Sequence, residues 1–225
     1  MPEVRPIFSI LGLPCSGKGT QGFLLQKHLN IRHISAGDCL RAEMAKEDSE
    51  HKKLIDYYIK EGLIVPAEIT VALLRAVMES DSSSAGFLID GFPRAIEQYQ
   101  CFIKHARPMN GVIYVKAAEE LALSRMHKRI AEWKEQGKVT RTDDNDESMK
   151  KRFRVYKSQT APVISLFRRH SRIIELDGAG TPDKVFAILS KLMKEFLSSS
   201  KGKHGLELTE EDVKIGEEEE KKAHE

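Results

Sequence analysis

The segment Gly12-Leu-Pro-Cys-Ser-Gly-Lys-Gly-Thr-Gln21 constrains the fold of this chain more than any other. It follows the apolar run Ile7–Leu13 and leads into helix-forming residues, Gln21–Leu29. The run is too short for a buried helix and is bounded by Pro6 and Gly12, so it reads as a buried strand. Strand, glycine turn and helix in that order converge backbone N–H groups on one point. Glycine lets the backbone approach an anion without a Cβ in the way, and the helix N-terminus adds positive potential there. Gly12, Gly17 and Lys18 have the spacing of a phosphate-binding loop. The pattern departs at Gly19, where Ser or Thr usually stands, so the hydroxyl available to a magnesium ion is that of Thr20.

Four more short apolar pieces recur along the chain: Ile31–Ile34, Gly86–Asp90, Gly111–Val115 and Ile173–Leu176. Helical patterns separate nearly all of them, including Asp38–Ala45, His51–Glu61 and Ala67–Met78. Alternation of this kind predicts an α/β fold with a mainly parallel sheet and helices on both faces. Two stretches read as insertions between core units: an all-helical one from about Ser35 to Ala72, and a polar, charged one from about Arg129 to Asp146.

The 225 residues suit one such domain, and 40% hydrophobic content is enough to build its core. Charge is unevenly spread. From Leu197 to Glu225 there are five Lys and nine acidic residues, which leaves 31 basic and 25 acidic groups before that point. A basic body suits an anionic partner. The acidic tail after Phe196 is expected to be disordered, having too little apolar surface to offset ordering. The three cysteines, Cys15, Cys39 and Cys101, form no CxxC pair, which fits a reducing compartment. The short, charged Met1–Pro6 lead contains no signal peptide, and there is no 18-residue apolar run. The expectation is therefore cytoplasmic, with no membrane partner.

Cations accumulate at positions the topology can gather. Asp90-Gly-Phe-Pro-Arg94 ends a strand, where ligands of parallel sheets sit; the acid can hold Mg²⁺ through water and the arginine can fork onto a phosphate. Arg41 lies at the start of the first insertion. Arg125, Arg129, Arg141 and Arg152 surround the second, with Arg125 and Arg129 four apart on one helix face. With Lys18 these make up to seven cations for two phosphate chains, as phosphoryl transfer requires. A base-reading NKxD motif is missing, which argues against a P-loop GTPase. No aromatic-basic platform supports nucleic acid as a partner.

Five segments in order, GLPCSGKGT, SAGDCLR (Ser35–Arg41), EGLIVP (Glu61–Pro66), FLIDGFPR (Phe87–Arg94) and RTDDN (Arg141–Asn145), resemble the adenylate kinase and UMP/CMP kinase family. The resemblance runs from about Ile7 to Phe196. It implies a P-loop NTPase-type three-layer fold with a five-stranded parallel sheet, a helical arm for the acceptor monophosphate at about 35–72, and a small LID at about 129–146. It further implies an ATP-dependent nucleoside monophosphate kinase, monomeric, using Mg²⁺ with ATP. Lys18, Arg94, Arg129, Arg141 and Arg152 would act on the transferring group. ATP would meet Gly12, Pro14, Cys15, Ser16, Gly17, Lys18, Gly19, Thr20, Arg125, Arg129 and Ala179. The acceptor would meet Ser35, Ala36, Gly37, Arg41, Ile64, Val65, Gly91, Arg94, Gln98, Arg141 and Arg152. Thr20 and Asp90 would serve the metal through water, and Asp143 and Asp144 would pair with arginines on LID closure.

The LID departs from the family's forms. Eleven residues, including Trp133, Lys134 and Glu135, separate Arg129 from Arg141, more than in short lids. The four cysteines of zinc-bearing long lids are absent from it, so no structural zinc is expected. The acceptor base is open between two readings. Gln98 can read adenine, since its amide both donates and accepts, which favours AMP. Ala36 in SAGD is typical of the UMP/CMP branch, which favours CMP or UMP. A catalytically silent nucleotide-binding protein would be expected to have lost the phosphate-facing arginines; here they are present.

Overall fold

The computed structural model describes residues 5–223, so the first four residues of the charged lead lie outside the described residues. In chain order the elements are β1 (Ile7–Leu11), α1 (Lys18–Leu29), β2 (Ile31–Ser35), α2 (Ala36–Ala45), α3 (Lys52–Lys60), α4 (Ala67–Ser80), β3 (Gly86–Asp90) and α5 (Ile96–His105). They continue with β4 (Gly111–Lys116), α6 (Glu119–Glu135), α7 (Asp146–Val155), a π-helical turn (Tyr156–Thr160), α8 (Ala161–Arg169) and β5 (Ile173–Asp177). Helices α9 (Pro182–Ser198), α10 (Ser200–Lys203) and α11 (Glu210–Lys222) follow.

The five strands pair in the order β2-β3-β1-β4-β5, all parallel. Parallel strands buried on both faces need apolar side chains in both directions, which is why β1 reads as an unbroken run. Alternate residues divide between two cores. Ile7 and Leu11, with Ile34, Phe87, Ile89 and Val112, pack against α4, α5 and α8. Phe8 and Ile10, with Ile31, Leu88, Ile113 and Ile174, pack against Leu25 of α1 and Val185, Leu189 and Met193 of α9. The result is the three-layer α/β fold the alternation implies.

Two smaller clusters lie beside the excursions. Leu40, Ile55 and Val65 hold α2–α4 together, and Leu13, Met126, Met149 and Phe153 join the phosphate loop to α6 and α7. The second excursion, about 129–146, thus comprises the end of α6 and a loop over residues 136–145, up to the start of α7.

Two expectations are corrected. β1 ends at Leu11 rather than Leu13, because Gly12 adopts φ 148° and starts the loop. A Cβ there would collide with the Val115 carbonyl oxygen, so glycine is required. The tail expected to be disordered instead folds back as α10 and α11. Leu206 is buried, and its carbonyl accepts from the Tyr99 hydroxyl at 2.7 Å. Helix α11 opens with a capping box between Thr209 and Asp212 and packs Gly216 on Ile96. Its acids find partners in the basic body: Glu219 with Arg169 at 3.0 Å and Asp212 with His170 at 2.8 Å. Composition alone overlooked this charge complementarity.

Candidate functional site

Strand order reverses on either side of β1, and the carboxyl ends of β1, β3 and β4 open there onto a cleft of about 490 Å³. Beside it lies a recess of about 60 Å³ that shares Gly37, Arg41, Gly62, Gly91, Arg94 and Arg152 with the cleft.

The loop after β1 forms the cleft floor. Gly17 takes φ 107° at the N-cap of α1, and Cys15 takes φ 61°. The Lys18 ammonium turns back on the loop and donates to the carbonyls of Gly12 at 3.0 Å and Leu13 at 2.7 Å. Solvent reaches part of the Lys18 side chain, yet its charged end is enclosed. Burial draws its pKa down to about 8, and Arg94 and Arg152 push the same way against Asp90. The Ser16 hydroxyl is buried with no partner, a polar atom free for an oxyanion.

Asp90 closes β3 with its Oδ2 beside Gly19 and 3.3 Å from His33 Nε2. A carboxylate at that place, one residue from the Thr20 hydroxyl, fits a hydrated divalent cation. Among the described residues there is no group of three or more His, Cys, Asp or Glu side chains that could hold a metal by themselves. Any ion here would depend on ligand phosphates and water.

All seven cations marked in the sequence line the cleft. Arg94 follows Gly91, which has φ 75°, and donates from Nε to the Gly91 carbonyl at 2.7 Å. Burial, then Arg152, lowers its pKa to about 10, so it stays charged at neutral pH. Arg125 donates to the Ser16 carbonyl of the loop at 2.9 Å and to the Gly178 carbonyl just after β5 at 2.6 Å. Arg152 pairs with Asp143 at 2.9 Å and Arg129 with Asp144 at 2.5 Å. Asp38 holds Arg41 and lies 3.6 Å from Arg141, joining the two excursions.

Of the other sequence candidates, Pro14, Cys15, Ser16, Gly19, Thr20, Ser35, Gly37 and Gly91 also line the cleft. Ala36, Ile64, Val65 and Gln98 line the recess. Gln98 is buried there: its Oε1 accepts from the Arg94 N–H at 2.9 Å and its Nε2 donates to the Val65 carbonyl at 3.1 Å. Ala179 stands at the edge of the cleft. It lies between Gly178 and Gly180, which line the cleft, but is not itself a lining residue; its N–H bonds Asp177 at 2.9 Å.

Sequence reasoning missed several contributors. His33 faces Asp90 from β2, two residues before Ser35, and strand alternation alone places it on the same face. Thr160 of the π-helical turn donates to the Arg94 carbonyl at 3.0 Å, and Tyr156 lines the cleft one turn earlier. No local signal marks those two.

The family profile described as Adenylate kinase matches residues 10–172. The chain belongs to this family of nucleoside monophosphate kinases. Similar proteins include the Uridylate kinase of Schizosaccharomyces pombe, 40% identical over 85% of this chain and 98% of that one. The UMP-CMP kinase of Danio rerio is 37% identical over 83% of this chain and 95% of its own length. The Adenylate kinase of Phocaeicola vulgatus is 37% identical over 79% and 93%. The chain is accordingly an enzyme of the class that transfers phosphoryl groups to a phosphate acceptor. Among the described residues, no helix of this kinase is long and apolar enough to cross a membrane.

Proposed function

We propose that this kinase moves the γ-phosphoryl of ATP directly onto AMP. The observation that carries transfer is the convergence of Lys18, Arg41, Arg94, Arg125, Arg129, Arg141 and Arg152 on one cleft. The ATP phosphates would lie in the loop Gly12–Thr20, with the Lys18 ammonium exchanging its carbonyl partners for phosphate oxygens. Arg41 and Arg94 would grip the acceptor phosphate. Closure of the segment about 129–146 would carry Arg129 and Arg141 over the transferring group and exclude water, which would otherwise hydrolyse ATP. The acceptor phosphate is already an anionic nucleophile, so no general base is assigned. Thr20 and Asp90 would hold magnesium through water; the ion would offset phosphate charge. The same reading takes the protein as a cytoplasmic monomer acting on free nucleotides, in keeping with its three free cysteines.

The Gln98–Val65 pair supports an amino-bearing acceptor base. An exocyclic amino group can donate to the Val65 carbonyl while the adjacent ring nitrogen accepts from Gln98 Nε2. Adenine and cytosine offer that donor beside that acceptor. On their Watson–Crick edges uracil and guanine present a carbonyl oxygen instead, which would face the Val65 carbonyl oxygen with no proton between them; an unmet polar group of this kind costs about 1–3 kcal/mol. A pyrimidine acceptor is the second reading, supported by the small Ala36 at the recess and by the relatives named uridylate and UMP-CMP kinase. The test is turnover with ATP and a panel of AMP, CMP, UMP, dCMP and GMP. The expected order of kcat/KM is AMP, then CMP, with UMP and GMP roughly tenfold or more below AMP. Turnover with CMP or UMP far above AMP would reject the base assignment.

A further inference from the structure

Trp133 is the only tryptophan of the chain and lies one helical turn beyond Arg129 on the prolonged end of α6. Two guanidinium groups border its ring. Arg141 Cζ is 5.6 Å from the ring centroid and Arg129 Cζ is 6.0 Å.

These two arginines need something to gather them. Burial lowers the pKa of Arg141, and the neighbouring cations Arg41 and Arg129 lower it further. Their carboxylate partners hold them incompletely. Arg129 Nε and Asp144 Oδ2 are buried without partners, so that pair rests on a single contact. Asp38 is shared between Arg141 and Arg41. An aromatic face differs from a carboxylate in one useful respect. It attracts the guanidinium plane electrostatically while leaving the N–H donors at its rim free for a phosphate.

We infer that Trp133 is a positioning residue: its ring collects Arg129 and Arg141 into one unit and presents their donors to the transferring phosphoryl. The inference rests on the reading above that both arginines face that group. Trp133 stands four residues after Arg129 within α6, and the loop that follows returns Arg141 to the same ring.

The test compares W133F, W133L and W133A in ATP–AMP turnover, with circular dichroism to establish folding. Leu retains apolar volume without a ring quadrupole, so it separates packing from attraction to cations. Phe is expected to keep kcat within about threefold, and Leu and Ala to lose about tenfold in kcat with the acceptor KM little changed. Equal activity of the Phe and Leu variants would overturn the inference. A second readout needs no turnover: R129Q and R141Q should each change the emission of Trp133 in the nucleotide-free enzyme, and unchanged emission in both would also overturn it. Full activity in R129Q and R141Q would instead remove the phosphate reading beneath the inference. Their loss of activity with equal Phe and Leu variants would sink the role of Trp133 alone.

Discussion

Burial holds the Lys18 pKa near 8 in the free enzyme, well below its ordinary value of 10.5. The sign of the consequence is fixed. The folded, nucleotide-free state gives up this proton before the unfolded state does, so the destabilisation from the buried charge is complete below pH 8 and is relieved as pH rises toward 10.5. Phosphates arriving in the loop favour the ammonium again. Binding of MgATP at pH 8.5–9 should therefore take up protons, measured by calorimetry in two buffers of different ionisation enthalpy, and K18M should abolish the uptake. Zero uptake in the unsubstituted enzyme would contradict an enclosed Lys18. The individual site residues were legible where local order imposes them. Lys18 is tied to a glycine loop, and Asp90 and Arg94 to a strand end. Thr160 and Tyr156 were not, because a π-helical turn distant in sequence delivers them by packing alone.

Among the elements, the strands and the helices of the body follow from apolar periodicity, and the sheet follows from their alternation. The acidic tail shows where such reading ends. Charge per residue predicts disorder for a segment in isolation, whereas α11 lies on a surface whose basic side chains match it. Its Thr209–Asp212 capping box satisfies N–H groups that the helix start would leave unpaired. T209A should cost about 1 kcal/mol, seen as faster hydrogen exchange confined to the α11 amides. Exchange in α11 already as fast as in an unfolded peptide would contradict a docked tail.

On the scale of the whole molecule, a three-layer body carries two excursions, the first around its own small cluster and the second between α6 and α7. Asp38 of the first excursion lies 3.6 Å from Arg141 of the second, so the two meet beside the cleft. Cations drawn from the loop, a strand end and both excursions have a common purpose only if two phosphate chains lie between them. The most direct measurement is a single turnover with ATP labelled in its γ-phosphate, in the presence of AMP. The label should appear in the ADP formed from AMP, and R94A should slow its appearance by roughly a hundredfold while ATP binding persists. Label released as inorganic phosphate at a rate independent of AMP would contradict direct transfer between two bound nucleotides.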